Sequence, residues 1–222
     1  MRITTAKQIS ALALGALVAL SAPVAAETAQ HGDAHKDATR HAHDHGADDI
    51  HKGYFSDEQI KARTLSDWAG EWQSVYPLLQ NGDLDSVLKH KAEHGAKTFD
   101  EYKAYYTAGY ATDVERIHFD GNIATFFRNG VPLQGRYESD GFEVLTYDAG
   151  NRGVRYVFKK VNGDADAPAF FQFSDHKIAP AAADHFHLYW GNDRAALLKE
   201  LTNWPTYYPA KLTAKEIVEQ MH

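Results

Sequence analysis

The 222 residues contain no cysteine. Disulfides are therefore excluded, and stability has to come from a packed core. Basic charge is also scarce: Lys and Arg number 23 against 30 Asp and Glu, for a formal net charge of −7. An acidic chain with no basic stripe is a poor partner for nucleic acid or an anionic membrane, and a natural one for cations. Long apolar runs are confined to a single stretch, Ile9 to Leu20.

That stretch reads as an address. Arg2 and Lys7 precede it, and Ser21-Ala22-Pro23-Val24-Ala25-Ala26 follows with small residues suited to cleavage after Ala26. Charged start, apolar centre of about a dozen residues and small-residue site define a secretory signal peptide over residues 1–26. A membrane span needs about 20 apolar residues, and Pro23 interrupts this one. The mature protein is expected to be exported, with no membrane anchor after cleavage. Losing Arg2 and Lys7 makes it more acidic by two units.

Residues 27–53 change character abruptly. His31, His35, His41, His43, His45 and His51 are dispersed among Asp, Ala and Gly, with little apolar surface to bury. Such a segment is expected to be disordered. Short His-rich tracts interleaved with carboxylates bind metals weakly through several ligands. Neutral imidazole is the binding form, so capture by the tail should weaken below about pH 6.

A folded domain is expected over 54–222. Ser56-Asp57-Glu58-Gln59 forms a capping-box pattern, predicting a short helix to about Arg63. Gly70-Glu71-Trp72 opens an apparent strand and resembles the first strand of lipocalin-like barrels. Leu84, Val87 and Leu88, then Phe99, Tyr102 and Tyr105-Tyr106, recur at helical spacing and predict helices over 84–96 and 98–108. His90 and His94 share a face of the first, among Lys89, Lys91 and Glu93, and read as a solvated surface. Beyond Gly109 the pattern predicts strands over 112–119, 123–128, 133–138, 142–147, 154–161, 170–173 and 185–190. Asp120-Gly121, Asn129-Gly130 and Asp140-Gly141 punctuate them as hairpin signals. With the Gly70 strand this makes a mainly β meander of about eight strands, best closed as an antiparallel barrel. Thr213-Ala214-Lys215-Glu216 starts a short terminal helix.

The chemistry concentrates in Phe173–Trp190, FSDHKIAPAAADHFHLYW. His185 and His187 stand two apart in an aromatic strand and so point to one face. His176 lies at the end of the preceding apolar run Phe170-Phe171-Gln172-Phe173, and the segment between is long enough for the chain to reverse. Three imidazoles then meet, a donor set that suits Zn(II), Cu(II), Ni(II) or Co(II). Asp175 and Asp184, beside ligand histidines, are candidates to orient an imidazole through its second N–H.

Longer motifs resemble a known family: RTLSDWAGEWQSVYPLLQNGDLD, KTFDEYKAYYTAGYATDVE, GVRYVF, FQFSDHKIAP, HFHLYWGND and NWPTYYP. Together they are similar to the ZinT (YodA) family of periplasmic zinc- and cadmium-binding proteins, from about Lys61 to the C-terminus. The resemblance implies a calycin-like barrel with a helical insertion after the first strand and a periplasmic location. It also implies a metal site at His176, His185 and His187 for Zn(II) or Cd(II), and delivery of zinc to the solute-binding protein of a high-affinity ABC importer. Some members carry a Cys pair on neighbouring strands; this chain has none. Three protein nitrogens leave one position open, for water, a small anion or a tail histidine. The same open position could serve a zinc-dependent hydrolase or lyase, and a barrel of this type could carry an apolar ligand or act as a passive metal buffer.

Overall fold

The computed structural model describes residues 49–148, 150–199 and 201–222. The expected signal peptide (1–26) and His31, His35, His41, His43 and His45 lie outside the described residues. No described helix is long and apolar enough to cross a membrane.

Eight strands form a closed, wholly antiparallel barrel in chain order: β1 (Gly70–Ser74), β2 (Val114–Asp120), β3 (Ile123–Arg128), β4 (Val131–Thr146), β5 (Arg152–Gly163), β6 (Phe170–Ser174), β7 (Phe186–Gly191) and β8 (Thr206–Pro209). Closure comes from β8 pairing with β1, Gln73 opposite Tyr208. Between β1 and β2 lies the helical insertion: α1 (Tyr76–Asn81), α2 (Asp85–His94) and α3 (Phe99–Tyr110). A short α4 (Arg194–Leu197) and the terminal α5 (Ala214–Met221) complete the described elements. Thr98 and Thr213 cap α3 and α5, each accepting from the backbone N–H of a Glu three residues on at 3.3 Å.

The strand count matches the expectation, but its inventory differs. The segments expected at 133–138 and 142–147 are one 16-residue strand, β4, pairing with β5 from Gly135 to Thr146. Asp140-Gly141 is a bulge where the register shifts between Ser139 and Phe142, not a hairpin. Gly141 takes φ +85° there, and Arg194 Nε holds the Asp140 carboxylate at 2.6 Å. The lost strand is replaced by β8, which is too short to announce itself. Asn129-Gly130 is a true hairpin, with φ +51° and +77° as a primed turn requires. The helix expected from Ser56 to Arg63 is only a 3₁₀ turn, Asp57–Gln59. Arg63 is instead drawn into a buried ion pair.

Aromatic side chains fill the barrel. Trp68 stacks on Phe173 with centroids 4.1 Å apart and 5° between planes. Phe119, Phe126, Tyr137, Phe158 and Phe171 join them in one buried cluster. These rings pack against one another as the core of the barrel. A second cluster, including Leu79, Leu88, Tyr110 and Ile217, packs the helices around Tyr208 of β8.

Strand alternation then assigns faces. Phe171, Phe173, Phe186, Leu188 and Tyr207 belong to the inner core. Their neighbours Gln172 and Ser174, His185, His187 and Tyr189, and Thr206 and Tyr208 therefore stand on the outer wall. Residues 49–53, grouped with the tail by composition, differ from the expected disorder. Residues 49–51 are helical, Ile50 packs against the core, and Gly53 (φ +90°) lies so close to Arg152 that a Cβ would sit 2.6 Å from its carbonyl oxygen.

Candidate metal centre

Three imidazoles gather on this outer wall. His187 lies in β7 opposite Ser174 of β6 and Thr206 of β8. His185 precedes the first residue of β7, and His176 lies two positions beyond the end of β6. Their ring centroids form a nearly equilateral triangle: 6.1 Å for His176–His185, 5.9 Å for His176–His187 and 6.1 Å for His185–His187. One nitrogen of each lies within 4.8 Å of the others'. Zinc bonds imidazole nitrogen at about 2.0–2.1 Å, so seating it asks each ring to close inward by on the order of 0.7 Å.

The connecting loop is anchored from below. Arg63 places Nη1 2.7 Å from Asp175 Oδ1 and Nε 2.7 Å from Asp67 Oδ2, all but excluded from solvent, with its Cζ 3.9 Å above the Trp68 ring. Its Nη2 donates to the Ala181 carbonyl at 2.8 Å. Asp175 also accepts from the Lys177 amide at 3.2 Å. Between these anchors His176 adopts φ +61°, the left-handed region that a β-carbon disfavours. That turn swings its ring back over the β7 histidines.

The orienting role suggested for Asp175 and Asp184 is not what their contacts show. Asp175 is held by Arg63, and Asp184 lies 2.7 Å from Lys177 Nζ. Thr206 takes the role for His187. Its Oγ1 lies 2.8 Å from His187 Nδ1 and donates its own proton to the Trp204 carbonyl at 3.0 Å. A hydroxyl whose proton is committed accepts, so Nδ1 carries the hydrogen and Nε2 presents a lone pair. His185 stacks on Tyr208, centroids 5.2 Å apart. His176 stacks on the His51 ring, centroids 4.2 Å apart.

Burial keeps these rings neutral. It drives His187 down to about 3, helped by the His176, His185 and Arg155 charges. His176 remains exposed as a residue, but desolvation of its ring lowers it to about 4, with the His51 and His185 charges adding to it; burial also lowers His185. Neutral imidazole is the form that binds metal. His51 is the tail histidine that the structure brings to the centre. His90 and His94 stay exposed on α2, their rings 4.6 Å apart, and the terminal His222 comes within 5.3 Å of His90.

Sequence patterns pointed to the three histidines but not to Thr206, Arg63, Ser174 or Arg155. An arginine inside the apolar run Val154–Phe158 was a usable signal.

A lipocalin-like barrel carrying three converging, neutral imidazoles is a scaffold suited to a transition-metal ion. A sequence model described as "ZinT (YodA) periplasmic lipocalin-like zinc-recruitment" matches residues 46–222, and the chain belongs to that family. It is 55% identical over 179 residues to the probable metal-binding protein YrpE of Bacillus subtilis, covering 80% of this chain and 71% of that protein. It is 51% identical over 178 residues to the zinc-binding protein AdcA of Streptococcus pyogenes, covering 78% of this chain but only 35% of AdcA. Among solved structures, the Zn(II)-bound ZinT-like domain of Streptococcus pneumoniae AdcA superimposes with a TM-score of 0.75 at 47% identity, covering 78% of this chain and 97% of that one.

Proposed function

We propose that this protein captures Zn(II) outside the cytoplasm through His176, His185 and His187. In this role it accepts Cd(II) as a rival guest and supplies zinc to the solute-binding protein of a high-affinity ABC importer when zinc is scarce. The observation that carries the proposal is the convergence of three neutral imidazole nitrogens within 4.8 Å of one another. Zinc binding named for AdcA, and the family's description as zinc-recruiting, support the choice of metal. Borderline-soft nitrogen donors also admit Cu(II) and Ni(II). Binding rather than catalysis is favoured because Asp175 and Asp184, the nearest carboxylates in sequence, are committed to Arg63 and Lys177 and are not poised as a general base.

The tail belongs to the same proposal. The tail joins the domain at His51, whose ring rests against His176, and tethering a weak ligand raises its local concentration without high intrinsic affinity. The tail histidines would gather zinc and lend a fourth ligand.

The test is a zinc titration against a competing chelator, using the mature chain, a His176/His185/His187→Ala triple variant and a deletion of residues 27–48. The triple variant should lose the tightest equivalent, and the deletion should lose weaker equivalents and slow transfer to the importer's solute-binding protein. Retention of the tightest equivalent by the triple variant sinks the proposed site.

A further inference from the structure

Beside the histidines lies a cavity of about 340 Å³ whose wall includes His176, His187, Ser174, Arg155, Tyr147 and Tyr189. Arg155 is its unusual member. It projects from the outer face of β5 but is only 2% exposed, with Cζ 3.6 Å from the Tyr189 ring centroid. Its Nε reaches the Tyr147 hydroxyl at a long 3.4 Å, and its Nη1 is buried without an acceptor among the described residues. A guanidinium taken out of water with a donor unmatched is costly. Such a group usually marks a site where something else completes the bonding.

Register places it next to the histidines. Tyr156 pairs with Phe173 and Ser174 pairs with His187. Arg155, Ser174, His187 and Thr206 therefore follow one another across four adjacent strands of the outer wall. The Arg155 charge is felt at His187, where it opposes protonation. Nearby carboxylates do not answer it: Asp175 is taken by Arg63, Asp184 by Lys177 and Asp57 by Arg152.

We propose that Arg155 forms the anion half of a composite site, which takes zinc together with a small carboxylate. One carboxylate oxygen occupies the position left open by the three histidines, and the other accepts from Arg155 Nη1. Three neutral imidazoles leave the full dication charge, and the adjacent, buried Arg155 guanidinium adds a third positive charge. An anion there is favoured on both counts, and its bond to Arg155 is charge-assisted. A water's share of liquid is about 30 Å³, so the cavity has room for on the order of ten waters, enough for the remainder of a small organic acid. The ligand class is thus a low-molecular-weight carboxylate, free or arriving already bound to the metal. This inference rests on the three-histidine site proposed above.

Co(II) as a visible probe and acetate as the anion separate the two claims. The cobalt spectrum of the mature chain, less that of the His176/His185/His187→Ala variant, isolates the three-histidine centre from the tail. In carboxylate-free buffer that difference spectrum should change saturably on adding acetate. Arg155→Met, which removes a positive charge beside the metal, should load cobalt at least as tightly as the wild type but bind acetate at least tenfold more weakly, with Arg155→Lys between them. In the zinc-loaded wild type, acetate should also move the Arg155 Nε–H NMR signal, a measurement that needs no variant to fold. A cobalt spectrum indifferent to acetate, an unmoved Arg155 signal, or equal acetate affinity in Arg155→Met would overturn the anion seat. Absence of any cobalt difference spectrum would instead condemn the histidine site itself.

Discussion

Thr206 holds His187 from behind. The 2.8 Å contact between Thr206 Oγ1 and His187 Nδ1 joins residues 19 positions apart, and the hydroxyl's onward bond to the Trp204 carbonyl gives it a direction. This relay selects the tautomer that leaves Nε2 free for a metal.

Replacing Thr206 with Val keeps the shape but removes the acceptor. Outer partners of ligand histidines typically account for 10- to 100-fold in metal affinity. A chelator competition should therefore show zinc binding weakened by roughly that factor in Thr206→Val and largely preserved in Thr206→Ser.

Arg63 and Asp175 make the second test. Arg63→Met leaves the Asp175 carboxylate buried at 5% exposure without its main partner. Removing one member of a buried pair costs about 3–5 kcal/mol. Urea denaturation of the metal-free protein should show a loss of that order, together with weaker zinc binding as the His176 turn loosens.

His176 exchanges stability for function. A non-glycine residue at φ +61° carries strain of about 1–2 kcal/mol. His176→Gly should leave the metal-free protein as stable as, or slightly more stable than, the wild type while zinc affinity falls. A clear drop in the urea midpoint at unchanged m-value would contradict the claim that this turn is strained.

The pH dependence has a definite sign. His187 and His176 sit at about 3 and about 4 in the folded chain, against an ordinary 6.5, and His185 is also lowered. The unfolded chain therefore binds more protons between these limits, and stability from the neutral rings is lost as pH falls from 6.5 towards 3. Thermal melts of the metal-free protein from pH 7 to 4 should decline more steeply for the wild type than for the His176/His185/His187→Ala variant.

Much of the site was legible because it obeys short-range rules. The separation of His185 and His187 by two makes them share a face in any extended segment, and the ten-residue Asp175–Asp184 stretch suffices to return the chain to His176. The capping boxes and Asn129-Gly130 are equally local, since each states its bonding within four residues. Asp140-Gly141 misled because a glycine with positive φ serves a bulge as well as a hairpin. Only the pairing of β5 with both halves of β4 tells them apart. β8 was missed because four residues carry too little periodicity to register, and its strand character comes from edges supplied by β1 and β7.

Sequence alone determined the histidine pair, the absence of disulfides, the mainly β character and the family resemblance, all of which depend on residue identity and near-neighbour spacing. Tertiary structure decided that the histidines face outward, that Thr206 rather than Asp175 orients one of them, and that Arg155 lies beside them in one cavity. Those relationships arise from the registers that set β5 to β8 side by side, which no local pattern encodes. Strand pairing converts distance along the chain into adjacency across a wall.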